Sequence, residues 1–185
     1  MTRAAVALAA ALAGCASAAP PAPKGPSPGV RADIASAEAA ELARHHDVAR
    51  AQYERAIAEA TDPRSEGFAR REYANTLASW GEVPAAIAQL ERAVVATPAD
   101  PRPWQDLGVL RSTRDDVPGA RAALEHAKAL VPDKYPPRVA LAALLWHTGD
   151  RAGALVEYRE LAALELPDRL RAKVQWAIET LAKPP

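Results

Sequence analysis

Residues 101–134 read PRPWQDLGVLRSTRDDVPGARAALEHAKALVPDK, and the blocks on either side repeat the same plan. Gly67–Asp100, Pro101–Lys134 and Tyr135–Asp168 each read as a helix, a turn near the fifteenth residue, a second helix, and a stop at or beside a proline. The small residues Ala86, Ala120 and Ala154 stand 34 apart. Leu90, Leu124 and Tyr158 follow at the same interval, and so do Ala93, Ala127 and Leu161. Gly81 and Gly149 occupy the turns, where a backbone leaving a helix favours positive φ; in the middle block Asp115 and Asp116 take that place. Glu82, Asp116 and Asp150 each precede the second helix, positioned to serve its exposed N–H groups.

The composition agrees with paired helices. The 185-residue chain holds 46 alanines against 4 Trp, 4 Tyr and 1 Phe, which suits closely packed helices better than a sheet rich in β-branched and aromatic residues. Lys+Arg and Asp+Glu are equal at 23 each. That balance gives no electrostatic basis for nucleic acid, which calls for a basic patch or stripe. One cysteine excludes an internal disulfide framework and a cysteine-based zinc cluster.

With this spacing in hand, the chain resembles the tetratricopeptide repeat, whose pattern is Trp, Leu, Gly, Tyr, Ala, Phe, Ala, Pro at positions 4, 7, 8, 11, 20, 24, 27 and 32. The middle block carries Trp104, Leu107, Gly108, Ala120, Leu124, Ala127 and Pro132, with Arg111 at the usual aromatic position 11. The block before it offers Tyr73, Ala74, Leu77, Ala86, Leu90, Ala93 and Pro98, with Arg70 in place of the first aromatic. The block after it offers Leu141, Ala142, Leu145, Ala154, Tyr158 and Leu161, its proline delayed to Pro167. The resemblance implies an all-α fold, with helix-turn-helix repeats stacked as a right-handed superhelix and a capping helix over 169–183. Residues 33–66 read either as a degenerate first repeat, with Ala49, Tyr53 and Ala56 at the spacing of positions 20, 24 and 27 and a turn near His45–Asp47, or as N-terminal capping helices.

The N-terminus has a different character. One cation, Arg3, precedes the uncharged run Ala4–Ala13, the layout of a secretory signal and shorter than the ~20 residues of a bilayer span. Leu12, Ala13, Gly14 and Cys15 resemble the lipobox of bacterial lipoproteins. That resemblance implies a cleaved signal peptide over 1–14 and diacylglycerol on Cys15, and Ala16 in the next place implies the periplasmic face of the outer membrane. Two or three acyl chains anchor firmly where one is marginal. Residues 15–32, with prolines at 20, 21, 23, 26 and 28, read as an extended linker.

No catalytic arrangement emerges. His45, His46 and Asp47 lack further ligands at helical spacing for a metal, His126 and His147 stand alone, and the serines fall in no nucleophile motif. We therefore expect no enzyme activity, no metal and no cofactor beyond the acyl lipid. The repeat resemblance implies instead a concave groove for a protein or peptide, formed by Arg71, Asn75, Gln105, Asp106, Val109, Val139, Ala143 and Trp146. Phe68 holds a groove position in the first of these blocks. Arg71 and Asn75 resemble two elements of a terminal-carboxylate clamp whose other cations are missing. Trp146 suits either an interface anchor or packing against the terminal helix at Trp176. The expected function is a scaffold or adaptor lipoprotein in envelope complex assembly, pilotin-like or accessory to secretion or pili. The alternative is an accessory subunit of peptidoglycan-remodelling enzymes or proteases.

Overall fold

The computed structural model describes residues 25–183. The signal segment, Cys15 and the linker up to Lys24 lie outside the described residues. Among those described there are nine helices and no strand: α1 Pro28–Leu42, α2 His46–Ala58, α3 Pro63–Ser79, α4 Val83–Ala96, α5 Pro101–Ser112, α6 Val117–Leu130, α7 Tyr135–His147, α8 Arg151–Ala162 and α9 Asp168–Ala182. Successive helices pair as hairpins, α1 with α2 through α7 with α8, and α9 closes the stack against α8. The backbones of the odd-numbered helices α1, α3, α5 and α7 also come close to those of their odd-numbered neighbours, whereas those of the even-numbered helices do not and reach one another only through long side chains such as Lys128 and Glu157. The odd helices are thus the crowded inner layer and the even ones the splayed outer layer, so the all-α solenoid is concave on the odd side.

Local chemistry sets the ends. Asp62 accepts from the N–H of Arg64 and Ser65, Asp100 from that of Arg102, and Pro63 or Pro101 follows as the first helical residue, where its missing N–H and fixed φ cost nothing. Asp116 and Asp150 cap α6 and α8 through Gly119 and Gly153, at 3.0 and 2.9 Å. Glu82 makes no capping bond; it accepts instead from Arg50 of α2 at 2.8 Å. The turn residues Gly81 and Gly149 have φ of 81° and 85°, and Asp115 has 60°.

The repeat positions form the core. Ala86, Ala120, Ala154, Ala93 and Ala127 have no exposed surface, so α4, α6 and α8 approach their partners at backbone distance. Gly108 continues the close approach on α5, since a Cβ there would lie 2.5 Å from Leu124 Cγ. Leu77, Leu90, Leu107, Leu124, Leu141 and Leu161 fill the remaining space and are buried.

Two expectations are corrected at the N-terminal end. Residues 28–32 belong to α1 and not to an extended linker: Ser27 accepts from the Val30 N–H, Pro28 opens the helix, and Val30 is fully buried. A serine followed by proline is a helix start as readily as an extended dipeptide. The first turn also falls earlier than expected, at Ala43–His45, with Arg44 at φ 59°, and His46 already lies in α2. Ala49, Tyr53 and Ala56 of α2 are at most 1% exposed and join α1 and α3 in one core cluster.

Candidate functional site

The inner layer displays the residues expected to line the groove, with an unexpected division of labour. Arg71 on α3 donates through Nε to Asp106 Oδ2 on α5 at 2.6 Å, and through Nη1 to Glu72 at 3.0 Å. Burial pushes the Asp106 carboxyl above its usual range, and the Arg71 guanidinium offsets that only in part. Arg71 is therefore committed to its own neighbours and is not poised for a terminal carboxylate. Asn75 and Val109 remain exposed, and Gln105 is half-buried.

Asn75 opens onto a polar hollow of about 190 Å³ between α1 and α3, with Glu38, Glu41, Tyr53, Glu72, Thr76 and Ser79 as its other walls. Glu41 accepts from the Thr76 and Ser79 hydroxyls, each at 3.1 Å. Tyr53 OH and Thr76 Oγ1 are 2.8 Å apart. The Tyr53 phenol is pushed up, by burial first, and Glu41, Glu38 and Glu72 add to the rise. The N-terminal end of the inner face is acidic. Glu38 and Glu41 were not legible in the sequence because α1 lacks the repeat's large residues at fixed intervals, so nothing in it sets a register.

The C-terminal end differs. On α7, Val139 and Ala143 lead to Trp146, whose ring meets Tyr158 edge-on at 5.8 Å and Trp176 of α9 at 5.6 Å. Trp146 thus packs against the terminal helix, one of its two expected roles, and remains half-exposed. Trp176 itself is 60% exposed.

Two of the four histidines pack on tryptophans. His46 stacks on Trp80 at 4.6 Å with Arg50 on the same indole, and His126 lies against Trp104 at 4.3 Å. Among the described residues no three His, Cys, Asp or Glu side chains converge in a way that could hold a metal ion. A larger cavity of about 870 Å³ lies at the edge of the stack, where Phe68 meets Pro26, Pro63, Pro98 and Pro101. Phe68 is therefore at the loop edge, beside the point where the N-terminal chain enters.

No family model matches the chain, and no curated protein matches its sequence. Solved structures do. The crystal structure of MamA aligns with a TM-score of 0.68 at 16% identity, covering 83% of this chain and 80% of that one. PilF of Pseudomonas aeruginosa aligns at 0.64 and 15% identity, over 83% and 73%. The first TPR of Spaghetti (RPAP3), solved with the HSP90 peptide SRMEEVD, aligns at 0.56 and 16% identity, over 63% and 94%. This chain has the tetratricopeptide repeat fold. The helices α3 to α8 form three successive hairpins of that fold, with α3 opening at Pro63, ahead of the expected start at Gly67, and the inner helices carry every groove position named above.

Proposed function

We propose that this protein is a tetratricopeptide scaffold that binds a protein or peptide partner on the concave face of its odd-numbered helices. The observation that carries this reading is the unequal finish of that face. Its charges are internally satisfied at Arg71 and Asp106, while Asn75, Val109, Ala143 and Trp176 are left exposed. Exposed aromatic and aliphatic groups on a rigid concave surface are the material of interface anchors. The RPAP3 repeat aligned above was solved with an HSP90 peptide; in this chain Arg71 is occupied by Asp106 and Glu72, so a partner is bound through other groups.

The lipobox resemblance supports a finer reading: a lipoprotein anchored through Cys15 to the periplasmic face of the outer membrane, working as an adaptor in envelope complex assembly. Capture from envelopes tests both levels. The chain with Asn75→Ala and Val109→Asp should lose the partner that the parent retains, and Cys15→Ser should release the protein from membranes with loss of acyl labelling. Retention of the same partner by the groove variant would overturn the binding reading. Unchanged fractionation of Cys15→Ser would overturn the anchor.

A further inference from the structure

The N-terminal chain is fastened to the stack before it reaches α1. Asp62, which caps α3, also accepts from the Ser65 hydroxyl at 2.6 Å. Ser65 is fully buried, and its oxygen in turn accepts from the Ser27 N–H at 2.9 Å. Gly25 and Pro26 are thereby laid against the loop edge, as walls of the cavity of about 870 Å³. The chain that precedes Gly25 starts at the wall of that cavity and not in open solvent.

The other walls are mainly apolar and rich in proline. Pro63 and Pro101 stand there because each opens a helix, and Pro98 lies just past the end of α4. Phe68 reaches the same space from the second turn of α3. Pro63, Pro98 and Ala99 are exposed, and Phe68 and Pro101 are half-buried, so one aromatic ring and three pyrrolidine rings border a single hollow. Its volume is within the ~300–1,000 Å³ of pockets that hold ligands.

Such walls suit a proline-rich strip. Segments of that kind dock in aromatic-lined grooves, and their polyproline geometry is set before binding, so little entropy is lost. The sequence immediately before Gly25 is Pro20, Pro21, Ala22, Pro23 and Lys24, about 16 Å long in that geometry. Being continuous with the fastened Ser27, it meets the cavity at a high effective concentration that a separate peptide lacks.

We propose that residues 20–24 dock in this cavity as a polyproline strip on Phe68, Pro98 and Pro101. The linker is then part brace and part tether. On the lipoprotein reading above, docking shortens the free run beyond Cys15 from about 31 Å to about 16 Å and holds the loop edge of α3 and α5 toward the anchor. The docking itself does not depend on the anchor.

The test is a pulsed electron paramagnetic resonance distance between nitroxides at Ala19→Cys and Val156→Cys in the purified Cys15→Ser chain, which has no other cysteine. Val156 is 52% exposed on α8, and Ala19 precedes the docking segment. Docking gives one narrow distance distribution. Pro20→Gly/Pro21→Gly/Pro23→Gly, which changes no residue of the nine helices, should broaden it at least about twofold. Ala99→Arg, which crowds the hollow from an exposed loop position, should do the same while thermal unfolding stays near that of the parent. A broad distribution in the parent overturns the docking. A narrow one that survives Ala99→Arg places the segment elsewhere and overturns the cavity as its site. A narrow peak that appears only at high protein concentration makes the occupant the segment of a second copy, and overturns the assignment as well. Partner capture by the concave face is unaffected by any of these outcomes.

Discussion

Arg71 of α3 and Asp106 of α5, 35 residues apart in sequence, are joined at 2.6 Å across the inner layer. Each side chain is only 22% exposed, so the pair ties two repeats together and also removes Arg71 from the pool of free recognition groups. Arg71→Ala strands a mostly buried carboxylate and should cost about 1–3 kcal/mol. Asp106→Asn, which removes the group that burial penalises, should cost less. Urea unfolding of the two singles and the double Arg71→Ala/Asp106→Ala checks this, with a coupling of at least ~0.5 kcal/mol expected.

Acidity should act on this protein through carboxyl groups whose pKa values are shifted in opposite directions. Asp62 is held below the usual range, first by the Ser65 hydroxyl and then by the Ser65 N–H. Asp100, which burial pushes up, is brought below that range by the Arg102 guanidinium and N–H. Both bind a proton more readily when unfolded, so their stabilisation is present above the ordinary carboxylate pKa, near 4, and is lost as pH falls through their folded values. Asp106 is raised, so its contribution is present below that range and lost as pH rises through its folded value. The melting temperature followed from about pH 6 down to 2.5 should therefore fall on the acid side. Asp62→Asn, a cap that does not titrate, should make that fall shallower, and Asp106→Asn should make it steeper.

The repeat plan was legible because it depends on residue size at fixed intervals: Ala86, Ala120 and Ala154, 34 apart, are all fully buried. The groove was legible only as a set of positions. Whether Arg71 is free depends on which side chain comes within reach from the next repeat, and a position list carries no such distance. Trp176 was read as part of a cap because α9 has no second helix of its own, and its ring contact with Trp146 of α7 is what brings it to the inner layer. At Pro28 the proline-rich surroundings suggested extended chain, and the decisive detail was the cap at Ser27.

Close approach at Gly108 is separable from turn geometry at Gly81. A Cβ at Gly108 would meet Leu124 Cγ at 2.5 Å and the Ala120 carbonyl oxygen at 3.0 Å, and a buried leucine with a helix backbone behind it cannot move aside cheaply. Gly108→Ala should cost about 1–3 kcal/mol. At Gly81 nothing lies near the added carbon, so Gly81→Ala pays only for left-handed φ, about 1–2 kcal/mol. Denaturant titration distinguishes the two mechanisms when combined with Leu124→Ala. That change should partly relieve the first substitution and leave the second untouched.

The fourth position of each repeat and its partner nineteen residues later change together within this one chain. Arg70 donates to Gln89 at 2.9 Å, and Arg138 donates to Glu157 at 2.8 Å. Trp104 has Ala123 in the equivalent place, both in one core cluster. An indole needs a small partner there, and a guanidinium needs an acceptor. Arg138 is only 8% exposed and its Nε has no hydrogen-bond partner, so this pair is a candidate for replacement by the apolar version. Glu157→Ala alone should destabilise by roughly 3–5 kcal/mol, because it breaks a buried ion pair. Part of that is recovered because Arg138 also contacts Glu160 and Lys128, which loses its 2.6 Å partner, can turn to solvent. Arg138→Trp alone overfills the site against Glu157. The double Arg138→Trp/Glu157→Ala installs the middle repeat's pairing and should return to within ~1.5 kcal/mol of the parent in urea unfolding. A double variant as unstable as the sum of its singles would show that the two positions do not act as a unit.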